Sequence, residues 1–100
     1  MTRTLVLPRL VAGRDFADDM ADKLGPVAGD TVLVDGSGLL SGTGSFAAQL
    51  VSRLLGGGHA AQLIVMDAPD EFAGYLRSAA EAIGASERLT LRRGVPVATA

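Results

Sequence analysis

Four hydroxyl side chains, Ser37, Ser41, Thr43 and Ser45, crowd the stretch that follows one acid, Asp35, and they alternate with Gly36, Gly38, Gly42 and Gly44. Upstream lies the apolar run Thr31 to Val34; downstream, Phe46, Leu50, Val51 and Leu54 recur at helical spacing. A strand-to-helix junction of this kind gathers hydroxyls and backbone N–H groups at one point. That chemistry suits an anion, a phosphorylated hydroxyl or a docking protein. The glycines are expected to supply positive φ and close backbone approach. Ser45, just before Phe46, has the position of a helix N-cap. A phosphate on it or beside it would meet the positive end of the helix. Asp35 falls at the carboxyl end of a strand, where open α/β sheets carry their sites.

Other chemistries lack their residues. A P-loop needs Gly-x-x-x-x-Gly-Lys-Ser/Thr, and GSGLLSGTGS holds no lysine to reach the outer phosphates. The glycine spacing and downstream acid of a dinucleotide fingerprint are also missing. With no cysteine and one histidine, His59, thiol nucleophiles, disulfides and thiolate metal sites are excluded. His59 follows three glycines and reads as a solvated loop residue. Asp67, Asp70 and Glu71 cluster at a strand end and helix start, where capping and the helix dipole account for them. Tyr75 reads as a packed ring with its hydroxyl at the rim, and Arg92-Arg93 as solvated. No base–nucleophile pair appears, so the chain is read as non-enzymatic, without metal or cofactor.

Strands and helices alternate around this junction. Thr4 to Leu7 is a short strand closed by Pro8. Arg14 to Leu24 is a helix with Phe16, Met20 and Leu24 on one face, three aspartates in its first turns, and Gly25-Pro26 as its stop. Thr31 to Val34 and Gln62 to Met66 are apolar on both faces, as in strands covered by helices on each side. The junction helix ends at Gly56-Gly57-Gly58. Pro69 suits a first helical position, and Phe72, Leu76, Ala79, Ala80 and Ile83 continue at helical spacing to Gly84. Arg88 to Arg92 alternates as an edge strand does, and residues 94–100 read as a frayed tail. The expectation is one α/β domain over residues 1–100, with a mixed or mostly parallel sheet of about four strands and three main helices.

One hundred residues with 48% apolar and 4% aromatic content bury one core, filled mostly by alanine, valine and leucine. Nine basic residues against eleven acidic ones give a net charge of −2, with no basic footprint for nucleic acid. A signal-like start and an apolar run near twenty residues are both missing, so the reading is a cytoplasmic protein.

The layout and the stretch VLVDGSGLLSGTGSFAAQL resemble STAS domains, the sulfate-transporter and anti-sigma-factor-antagonist fold. Their signature is an apolar strand, an aspartate, a short Asp-Ser-(Ser/Thr)-Gly loop and an amphipathic helix. Aligned from Asp35, the position phosphorylated in anti-sigma-factor antagonists falls on Ser45. The family's loop aspartate falls on Thr43, its next serine on Gly44, and the glycine after the phosphoacceptor on Phe46. The stretch AQLIVMDAPDEFAGYLRSAAEAIGASERLTL is similar to the family's closing strand, helix and strand. The chain thus looks like a STAS-like branch in which Ser-Phe-Ala follows a hydroxyl-rich loop, often found near histidine-kinase-like ATPases.

The resemblance implies a regulatory module that docks a kinase-type ATPase or anti-sigma-like partner through the loop and the start of the following helix. Ser45 would be the phosphoacceptor. Ser37, Ser41, Thr43 and Gly44 would be loop contacts, Asp35 a support for the loop, and Gln49 and Arg53 contacts on the exposed side of the helix. Phosphorylation adds roughly −1.5 to −2 charges and breaks the docking. The alternative is an α/β domain that binds a small anion or nucleotide between Ser41 and Ser45. Recognition here requires the turn to stand open to solvent; residue 45 inside the protein, or the turn joined into a strand, would end the case.

Overall fold

A computed structural model describes residues 2–93, so the expected tail at 94–100 lies outside the described residues. The elements are β1 (Thr2–Val6), β2 (Leu10–Val11), α1 (Arg14–Leu24), β3 (Thr31–Asp35), β4 (Ser41–Gly42), α2 (Gly44–Val51), β5 (Gln62–Met66), α3 (Asp70–Ala82) and β6 (Leu89–Arg92). A π-helical turn, Ser52–Gly57, continues α2, and a 3-10 turn, Ser86–Arg88, precedes β6. Neither turn follows from side-chain periodicity.

The main sheet has the order β1-β3-β5-β6, and every pairing is parallel. Strand order thus advances in one direction along the chain. Right-handed crossovers that always advance the same way place all their helices on one face. Accordingly α1 packs on α2 and α2 on α3, in a single layer. The expectation of helices on both sides of the sheet is therefore corrected. Val32, Val34, Leu63 and Val65 are fully buried, whereas the alternate residues Leu33, Ile64 and Met66 are only half-buried.

The core lies between sheet and helices. Phe46 is its centre, with ring centroids 5.7 Å from Phe16 and 6.1 Å from Phe72. Leu50, Val51, Leu54, Leu55, Leu76 and Ala80 complete the layer. Helix α1 spans the expected residues. Helix α3 begins one residue after Pro69, and of its expected stripe Phe72, Leu76 and Ala80 are buried and Ala79 partly so, but Ile83 is 42% exposed because the helix has ended at Ala82. Gly84, at φ 70, turns the chain away.

A second, two-stranded ladder joins β2 to β4 in parallel, Leu10 opposite Ser41 and Val11 opposite Gly42. It ties the segment after β1 to the segment after β3. Two residues per strand carry too little pattern to be read beforehand.

Candidate functional site

The junction forms at the carboxyl edge of the sheet. Leaving β3, Asp35 turns the chain by accepting from the Ser37 amide at Oδ1, 2.9 Å away. The Ser37 hydroxyl foremost, and then this amide hydrogen bond, hold the Asp35 carboxyl below the ordinary carboxylate range. The Gly36 amide donates to the Met66 carbonyl at 2.8 Å, and a Cβ at Gly36 would sit 3.1 Å from the Ala68 Cα. Leu39 then inserts into the core. Its neighbour Leu40 points out and is 64% exposed, while its amide donates to the Arg9 carbonyl at 2.7 Å.

The loop glycines play a different part from the one expected. None of Gly36, Gly38, Gly42 and Gly44 has a positive φ; among the described residues the glycines that do are Gly13, Gly25, Gly29 and Gly84. Close approach is what Gly36 and Gly42 supply. A Cβ on Gly42 would lie 2.5 Å from the Phe72 Cδ1 and 2.9 Å from the Val11 Cγ2.

The helix cap belongs to Thr43 rather than Ser45. Its Oγ1 accepts from the Phe46 amide and from the Gly13 amide, each at 3.2 Å. One hydroxyl thereby caps α2 and fastens the entry of α1. Ser45 sits one residue inside α2, exposed, with its Oγ 3.2 Å from the Thr43 Oγ1. The buried Phe46 beside it fixes the first turn, so the Ser45 hydroxyl is held outward. Ser37, Ser41, Thr43 and Gly44 are exposed as well.

Gln49 and Arg53 do not line the free side of α2. Gln49 Nε2 donates to Asp18 Oδ1 at 2.8 Å; Arg53 donates to Asp18 Oδ1 at 3.0 Å and to Asp22 Oδ1 at 2.6 Å. Both residues fasten α2 to α1. Their bonds lower the Asp18 carboxyl, that of Gln49 foremost, and the two aspartates raise Arg53. The exposed side of α2 is instead Ser45 and Ala48, continued by Ser52 in the π-helical turn. The sequence signal for this was available: Asp18 and Asp22 stand one turn apart on α1, facing a helix that carries an amide and a guanidinium one turn apart.

The requirement of an open turn is met at Ser45 and fails at Ser41–Gly42, which pair with Leu10–Val11. The turn is thus joined into a strand, which ends the case for recognition by the turn itself; what stays open is a platform at the helix start, where Ser45 is exposed. What the sequence reading missed is the apolar rim beside it. Leu10, 66% exposed, lies opposite Ser41 in the short ladder, and the exposed Leu40 precedes Ser41 in the facing segment.

For an anion, the platform offers hydroxyls and a helix start, but residues 36–52 contain no lysine or arginine. A cleft of about 670 Å³ lies elsewhere, at the amino ends of β3 and β5, lined by Asp22, Val27, Arg53 and His59 among others. His59 is exposed there, as expected, at φ 54. Asp70 and Glu71 occupy the first turn of α3, and Asp70 pairs with Arg93. Among the described residues no group of three or more histidines and carboxylates is placed to hold a metal ion, and no helix is long and apolar enough to cross a membrane.

No family model matches the chain, and it matches neither a curated protein nor a solved structure.

Proposed function

We propose that the chain is a non-enzymatic regulatory module that docks a protein partner at the carboxyl edge of its sheet, over Leu10, Leu40 and Ser45. The observation that carries this reading is that two leucines about two-thirds exposed, Leu10 and Leu40, stand on the two backbone-bonded segments that lead to the helix start bearing the exposed Ser45. An exposed apolar patch rimmed by polar groups is the usual form of a protein contact. The same region bears the STAS-like resemblance, which makes a histidine-kinase-like ATPase or anti-sigma-like regulator the partner class. Asp35 supports the platform from beneath, and Thr43 caps the helix that presents Ser45. Gln49 and Arg53 act at a distance, by holding α2 on α1.

Phosphorylation at Ser45 is the switch in this reading. The phosphate would sit in the first turn of α2, where the helix dipole favours it, so the fold would tolerate the modification while the docked face changes charge. The test is affinity capture with the full chain as bait, with captured proteins identified by mass spectrometry. Wild type should retain an ATPase or anti-sigma-like protein, and Leu40→Asp and Ser45→Asp should each lose it while remaining folded. Capture unchanged by both substitutions, or nucleotide retained by the chain in place of a protein, overturns the reading.

A further inference from the structure

Among the described residues one face of the main sheet carries no helix, and its pattern is complementary to itself. All-parallel sheets are found almost only with both faces covered, yet α1, α2 and α3 form one layer on one side. Register defines what faces away from them. The middle row is Thr4, Leu33, Ile64 and Thr90; the row at the carboxyl edge is Val6, Asp35, Met66 and Arg92. Leu33, Ile64 and Met66 are half-buried, Arg92 is exposed and Val6 is 63% exposed. The face is thus apolar at its centre, with one acid on β3 and one base on β6, each a strand away from Met66 on β5.

We infer that this face binds a second copy of the chain, sheet against sheet, about a two-fold axis running along β5. Such an axis lays β5 on its copy and β3 on the copy's β6. Asp35 of each chain then meets Arg92 of the other, twice over, while Met66 and Ile64 each meet their own counterparts and Leu33 covers Thr90. The contact is isologous, as a closed dimer requires, and the sheets pack at about 10 Å with strands nearly aligned. No other axis along the strands pairs the acid with the base. An axis between β3 and β5 would set Asp35 on Met66 and Val6 on Arg92.

The size of the face sets the strength. Three strands of this length measure roughly 15 by 16 Å, about 240 Å² in projection for each copy. That is well below the ~800 Å² per partner of a standard interface, so association is weak and depends on concentration. Asp35 also accepts from Ser37 at the junction, so Met66→Lys and Arg92→Asp, which leave the docking residues in place, are the variants that separate this surface from the docking platform.

Analytical ultracentrifugation of the full chain, from about 10 μM to about 1 mM, tests it, because weak dimers populate within that range. The average mass should climb from one chain toward two. Met66→Lys sets two ammonium groups against each other across the axis, and Arg92→Asp sets acid against acid. Each should weaken association about tenfold, which corresponds to about 1.4 kcal/mol of repulsion introduced across the axis. Asp35→Lys combined with Arg92→Asp should restore it. Circular dichroism confirms that the variants are folded. A single-chain mass over the whole range overturns the inference, as do folded variants that associate like wild type. A folded double swap that stays monomeric removes the Asp35–Arg92 pairing on which the axis rests.

Discussion

Gly42 lies so close to the Phe72 ring that a Cβ added there would stand 2.5 Å from Cδ1 and 2.7 Å from Cε1. The platform on the sheet edge is thereby pressed directly onto the first turn of α3, across a gap only hydrogen can fill. Gly42→Ala forces the ring or the β2–β4 ladder to move. Overpacking of this kind costs about 1–3 kcal/mol, and a urea midpoint lowered accordingly, with the slope unchanged, is the expected result. Gly38→Ala, whose Cβ would meet only the Leu7 carbonyl oxygen at 3.7 Å, should leave the midpoint almost where it was.

Thr43 serves two helices with one oxygen. Loss of an N-cap hydroxyl typically costs about 1 kcal/mol, and Thr43→Ala also deprives the Gly13 amide of its acceptor. A destabilisation of roughly 1–2 kcal/mol is expected for Thr43→Ala. Thr43→Ser should recover most of it, and Ser45→Ala should cost only a few tenths, since the Ser45 hydroxyl caps no amide. Thermal unfolding of the three variants side by side separates the cap from the exposed hydroxyl.

Acid should loosen the α1–α2 contact through Asp18. Its carboxyl is lowered from 3.8 by Gln49 and then by Arg53, so the folded state binds its proton less readily than the unfolded chain does. A depressed carboxyl contributes its stability above the unfolded value, and loses it as pH falls from there through the folded value. Unfolding midpoints taken between pH 7 and pH 2 should therefore decline below about pH 4. Asp18→Asn should decline less steeply over that window, and a decline identical to wild type would detach Asp18 from it. Asp35, lowered by Ser37, contributes in the same direction and keeps the residual slope from vanishing.

A negative charge at Ser45 should leave the fold intact. Ser45 is exposed in the first turn of α2, where an anion gains about 0.3–1 kcal/mol from the helix dipole. Ser45→Asp is therefore expected to melt at the wild-type temperature or slightly above it. A lowered melting temperature would show that the hydroxyl supports the cap rather than standing free of it.

Alternating strand and helix patterns were legible because apolar spacing reports burial directly. Phe46, Leu50, Val51 and Leu54 all lie in the core at the expected spacing. The layer arrangement was not legible in that way. Leu33, Ile64 and Met66 are apolar whether or not anything covers them, and only strand order tells which side the crossovers take. At the junction, the hydroxyls and Asp35 were recognisable by type, but which hydroxyl caps the helix depended on a single residue of offset between Thr43 and Ser45. The roles of Gln49 and Arg53 required the partner helix, whose Asp18 and Asp22 lie 31 or more residues away in the chain. The β2–β4 ladder rests on backbone bonds alone, which leave no mark on side-chain choice.

Because strand order follows chain order, each strand of the main sheet bonds only to the strand before it or after it. Among the described residues no strand wraps back to lock the first strand to the last. The middle of the chain, β3 with α2 and β5, has neighbours on both flanks, while β1 and β6 have one each. Unfolding should thus begin at the two ends and converge inward, with the amide protons of Val32, Val34, Leu63 and Val65 the last to exchange with solvent.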